Sequence, residues 1–134
     1  MINRCIEFHD SKLVAISTVG GVARIELNAY VHASEGRPAV DAGTGWTQRL
    51  VIEIHDAAVR AQPHDLPLWI LDAELRLEGQ AFENILPLPF DGPGQVLLVA
   101  TGANDSRLEV SGTTIRVTYL AEPIYVEDFN PSKR

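Results

Sequence analysis

One cysteine, one methionine and two lysines are all that 134 residues supply of those three types. The single Cys5 leaves no internal disulfide, which fits a reducing compartment, and a lone thiol beside Ile6 reads as a small core residue. Lys12 and Lys133 stand near opposite ends, and the nine arginines are scattered singly. With a net charge of −7, the chain has no basic cluster to neutralise phosphates, so neither nucleic acid nor an anionic membrane is an expected partner. No apolar run approaches the roughly 20 residues of a spanning helix. Arg4, Glu7, His9 and Asp10 fall where a signal peptide keeps its apolar region. Together these absences make the cytoplasm the expected location.

Familiar catalytic motifs are missing as well. Gly43-Thr44-Gly45-Trp46 lacks both the later glycine and the strand-to-helix setting of a dinucleotide loop. No glycine-rich stretch ends in Gly-Lys-Ser/Thr, so a phosphate-cradling loop is excluded. Asp41 is not followed by the alternating oxygen ligands of a calcium hand. No serine occupies a nucleophile elbow, and Cys5 has no catalytic partner in the pattern. The metal motif of cupins needs two histidines two apart followed by a glutamate, and only His32 and Glu35 are present. A zinc site uniting His32, His55 and Glu35 or Glu53 fails on distance: if 22–32 pairs with 46–55, strand residues at about 3.3 Å each carry His55 far from the Trp46 end. Asp72, Glu74 and Glu78 share one strand face, but Arg76 lies among them, and a solvated surface explains them better than a glycosidase pair. No cofactor and no metal are expected, and the chain reads as non-catalytic rather than as an enzyme.

What the chain does have is period-two alternation of apolar and polar residues, the mark of half-buried strands. Ile6 and Phe8 alternate with Glu7 and His9 in a short first strand, Asp10-Ser11 reads as a turn, and Lys12 to Val19 is a second strand ending at Gly20-Gly21. From Arg24 to His32, Ile25, Leu27, Ala29 and Val31 take one face, leaving Tyr30 and His32 on the polar one. Trp46, Gln48, Leu50, Ile52 and Ile54 alternate with Thr47, Arg49, Val51, Glu53 and His55. Residues 55–67 fit either a short helix or a bent strand through Val59, and the bent strand is favoured because so short a helix has little propensity to draw on. Leu86-Pro87-Leu88-Pro89 can flank a sheet but cannot sit centrally. Val96–Ala100 is apolar on both faces and reads as central. Leu108–Val110 and Ile115–Tyr119 complete the strands, and 122–134 is expected to be a C-terminal tail pinned by Tyr125 and Phe129.

Eight to ten short strands with little or no helix point to a single all-β domain over 1–134. An antiparallel β-sandwich, jelly-roll-like, is the expected architecture, with a small closed barrel as the alternative. Glu7-Phe8-His9-Asp10-Ser11 resembles the short opening strand of several small bacterial β-sandwich families, some of them linked to toxin immunity. That resemblance implies a bacterial domain and transfers no functional residue.

The stretch Tyr30–Trp46 gathers most of the chemically useful groups. Loops longer than about 12 residues in compact domains tend to be functional or disordered. Tyr30 and His32 would line a site, Glu35 would accept hydrogen bonds, Arg37 and Asp41 would fix orientation, and Trp46 would offer a flat face. The structural alternative pairs Arg37 with Glu35 or Asp41 and places Trp46 in the core, in phase with Leu50 and Ile52. The expected function is a non-catalytic binding module for a small polar ligand or carbohydrate. The alternative is an acidic protein-interaction domain, immunity-like, that docks a basic partner; homo-oligomerisation is left open.

Overall fold

The architecture of this chain, described for residues 1–131 in a computed structural model, grows from one long hairpin. Asn3–Val19 (β1) and Val22–Ser34 (β2) pair antiparallel across Gly20-Gly21, whose φ values of +59° and +77° give the left-handed turn that suits a two-residue hairpin. Gly43–His55 (β3) extends the hairpin on the other side of β2. The remaining strands are Ala58–Ala61 (β4), Leu68–Trp69 (β5), Asp72–Leu77 (β6), Gln80–Glu83 (β7), Ile85–Leu88 (β8), Asp91–Thr101 (β9), Arg107–Tyr119 (β10) and Ile124–Phe129 (β11). All are antiparallel to their neighbours, in the order β5-β1-β2-β3-β10-β9-β6-β7, with β4 on β10, β8 on β1 and β11 on β3. The all-β expectation holds, and no α-helix occurs among the described residues. The sheet is strongly curled, in the manner of a half-barrel.

The curl starts in β1, where the sequence suggested two strands and a turn. Glu7 pairs with Tyr30 and Lys12 with Asn28, so residues 8–11 bulge opposite Ala29 alone. Such an insertion bends a strand and raises its twist. Ser11 holds the bulge: its hydroxyl donates to the Glu7 carbonyl at 2.8 Å and accepts from the Tyr30 amide at 2.9 Å. Either side of the bend, β1 meets different partners, β8 along Arg4–Glu7 and β5 at Lys12–Leu13. In keeping with Pro87 and Pro89, β8 pairs with β1 alone among the described residues.

The inner face of the curl is the core. Ile6, Phe8 and Leu13 of β1, Ile25 and Leu27 of β2, Leu50, Ile52 and Ile54 of β3, Leu75, Leu98, Leu108 and Ile115 form one buried cluster with their neighbours. Each such side chain contributes roughly 1.5–3 kcal/mol by leaving water. Val96, Leu98 and Ala100 of β9 are buried, and β9 lies between β10 and β6, as its apolar run implied.

Residues 55–67 resolve as the bent strand. Asp56 at φ +50° interrupts the ladder, after which β4 resumes pairing along β10. On the same side of β3, β10 and β11 lie end to end, β10 against Leu50–His55 and β11 against Gly43–Thr47. Gln48 donates from Nε2 to the Ala121 carbonyl where the two meet, at 2.9 Å. The segment expected as a tail thus supplies a strand, while 132–134 lie outside the described residues.

Candidate functional site

The Tyr30–Trp46 stretch is mostly strand. Pairing of β2 with β3 continues to Ala33–Thr44, so only residues 35–42 form the loop. Within it the chain turns tightly: the Arg37 carbonyl accepts from the amides of Val40 and Asp41, and the Arg37 amide donates to Asp41 Oδ2 at 2.6 Å. Arg37 Nε lies 3.4 Å from the same oxygen, with the Arg37 side chain 77% exposed. That amide first, and then the guanidinium, hold the Asp41 carboxyl below its usual range. Ser34 braces the base, donating to the Ala42 carbonyl and accepting from the Gly36 amide. Asn3 adds a bond from Nδ2 to the Gly36 carbonyl.

On the outer face, Tyr30 and His32 are covered rather than open. His32 has no solvent exposure and Tyr30 is 8% exposed. The Ala39 amide, reached through φ +68°, donates to His32 Nδ1, and the Phe129 ring meets the imidazole edge-on. Tyr30 donates its hydroxyl to Glu127 Oε1 at 2.8 Å. Gly43 and Gly45 make this packing feasible. A Cβ on Gly45 would sit 1.9 Å from the Tyr30 hydroxyl oxygen, and one on Gly43 would sit 2.0 Å from the Ala33 carbonyl oxygen. Neither glycine has a positive φ, so their value here is the missing side chain rather than backbone freedom.

The inner face is different, because the core stops short of the loop end. There a groove of about 560 Å³ opens, its lining including Arg4, Val31, Ala33, Glu35, Trp46 and Pro123. Trp46 is half-buried, packs against the core, donates from Nε1 to Thr44 Oγ1 at 2.8 Å and meets Tyr125 edge-on at 5.4 Å. Both roles considered for it, core residue and flat binding surface, are open to it at once. Arg4 enters from β1 with its guanidinium carbon 5.6 Å from the centre of the Tyr119 ring.

Of the six residues singled out in the sequence, Glu35 and Trp46 line this groove, whereas Tyr30 and His32 pack under β11 and the loop, and Arg37 faces Asp41 outside it. Arg4 was not singled out, although Ile2, Arg4, Ile6 and Phe8 keep one period-two phase that puts a cation on the apolar face. Cys5, on the opposite face, is buried, which pushes its thiol up to about 12 with help from the Glu7 charge. Ligand-capable atoms of Glu7, His9 and Asp10 lie within 4.8 Å of one another at the β1 bulge, where His9 Nε2 is 3.4 Å from Asp10 Oδ2. His32 and His55 sit at opposite ends of the β2–β3 pair, opposite Gly45 and Thr114 respectively, too far apart to share one ion.

No protein-family model, curated protein or solved structure matches the chain. Among the described residues, no helix is long and apolar enough to cross a membrane.

Proposed function

We propose that this protein is a non-catalytic binding module whose inner-face groove, beneath the 30–46 segment, takes a small polar ligand or a carbohydrate. The groove itself carries the reading. At about 560 Å³ it falls within the range of small-molecule sites, mostly apolar with a few converging polar groups. Trp46 offers the ring face or edge on which a sugar or another flat molecule rests, while Glu35 and Thr44 accept or exchange hydrogen bonds. Tyr30, His32, Arg37 and Asp41 support the site from behind by fixing the hairpin end and its loop. Leu98, Ala100 and Leu108 come together with Phe8, Ile25 and Leu27, which supports a jelly-roll-like sandwich as the scaffold. The buried, unpaired Cys5 is in keeping with a cytoplasmic, bacterial setting.

The test is an NMR screen of neutral mono- and oligosaccharides and small polar molecules, read at the Trp46 indole and the Ala33 and Thr44 amides. Binding that moves these signals and weakens in Trp46→Ala is expected. Ligands that bind elsewhere, leaving all three signals in place, would sink the reading.

A second reading, an acidic interaction domain, has one observation in its favour. Ile124, Tyr125 and Val126 of β11 are 68%, 50% and 47% exposed, and β11 pairs with β3 alone among the described residues. A basic partner would bind more weakly as salt rises; a salt-insensitive complex would count against it.

A further inference from the structure

We propose that the groove recognises an anion, and that its ligand is an amphipathic carboxylate whose flat apolar body lies on Trp46 and whose carboxylate reaches Arg4. The inference rests on the groove being the binding site and adds the chemical class of its occupant. Arginine usage in this chain is the observation behind it. Arg24, Arg37, Arg49, Arg76 and Arg107 each face a carboxylate. Arg60 and Arg116 are exposed to water. Arg4 alone among the described arginines is half-buried, and it has no carboxylate within ion-pair distance among the described residues.

A partly desolvated cation is costly unless an anion or a π face compensates it. Tyr119 supplies the π face at 5.6 Å, which orients the guanidinium while consuming none of its five donors. Those donors stand at an apolar groove, the setting in which a two-point bond to a planar carboxylate is strongest. In an otherwise acidic chain with net charge −7, long-range attraction does not draw an anion in. Recognition therefore has to come from contact inside the groove, and the apolar walls supply the rest of the affinity. Glu35 on the same lining disfavours a second anionic group, so the fit is to a monocarboxylate, with Glu35 accepting from a ligand hydroxyl or ammonium.

The test uses 2-naphthylacetate and its neutral amide as probes, followed by calorimetry and by NMR at Trp46. The acid is expected to bind at least about tenfold more tightly than the amide, since a charge-assisted bond is lost in the latter. Arg4→Gln is expected to erase that preference, and Arg4→Lys to keep part of it. Melting curves establish that both variants fold. Equal binding of acid and amide, an unchanged preference in Arg4→Gln, or no binding of the acid up to about 1 mM each overturns the inference. If neutral sugars or the amide still perturb Trp46 in any of those cases, the groove survives as a binding site and only the anion is refuted. If no probe of either kind perturbs Trp46, the groove reading falls with it.

Discussion

The His32 imidazole and the Phe129 ring meet edge-on, with centroids 4.2 Å apart and planes inclined at 62°. This contact seals the outer face of β2 and β3 with the last strand, on a histidine that no solvent reaches. Replacing Phe129 by Ala is expected to lower stability by about 3 kcal/mol, since a buried aromatic leaves both a cavity and an uncovered ring. Urea denaturation measures it; a loss within a few tenths would show that β11 is merely laid on the surface.

Gly45 and Tyr30 form a second such pair. In Gly45→Ala the added methyl collides with the Tyr30 hydroxyl and ring, so the ring must leave and its bond to Glu127 breaks. The expected cost is about 2 kcal/mol. In a Tyr30→Ala background the same change should cost much less, a coupling that a double-mutant cycle reads directly.

The packing role of Trp46 and the binding role proposed for it separate by substitution. Trp46→Ala is expected to cost about 2 kcal/mol, because the half-buried indole packs on the core and on Tyr125. Trp46→Phe should retain most of that stability while changing groove affinity. An unaltered melting temperature in Trp46→Ala would place the indole wholly in the groove.

The loop is expected to respond to acid. Asp41 has its carboxyl pulled down by the Arg37 amide and then by the Arg37 side chain. A carboxyl depressed in the folded state supports the fold above its unfolded value, and that support disappears as pH falls through the folded one. Amide exchange at Arg37, Val40 and Asp41 should therefore rise only below the ordinary aspartate range, and Asp41→Asn should show the looser loop at neutral pH. Arg37→Ala leaves the amide bond in place and should alter groove binding little, since Arg37 is not part of the lining.

Cys5 provides the opposite sign. Its thiol is raised to about 12 by burial and by the Glu7 charge, so the folded chain keeps a proton that the unfolded chain releases near the ordinary 9.0. Stability should accordingly decline as pH rises across that interval. Cys5→Ser should flatten the slope, and iodoacetamide should label Cys5 only after denaturant is added. Rapid labelling of the native protein would contradict the buried setting.

Strand content was legible because alternation is a local property: Ile25, Leu27, Ile52 and Ile54 declare their face by phase alone. The proline pair around Leu88 likewise announced an edge, and Gly20-Gly21 a hairpin. Three features were not legible. The β1 bulge depends on Ser11 finding the Tyr30 amide across the sheet, a partner that no local pattern specifies. The loop looked long because Gly43, Gly45 and Ser34 resemble loop residues, whereas the glycines clear room for Tyr30 and the Ala33 backbone inside paired strands. Arg4 lay in phase with Ile6 and Phe8 but carries charge, so the apolar run seemed to begin after it. A polar residue in an apolar phase was the available signal for the groove.

The laying of β10 and β11 end to end along β3 has a consequence for assembly. While the chain is being synthesised, β3 presents a free hydrogen-bonding edge until residues roughly 60 to 85 positions later arrive to cover it. Such distant pairings are slow to find, and open edges invite mispairing in the interval. The groove, whose lining runs in sequence from Ile2 and Arg4 to Pro123, is among the last parts to take shape. The ligand recognition proposed for this groove therefore waits on completion of the fold, and an early hairpin intermediate would lack half of its lining.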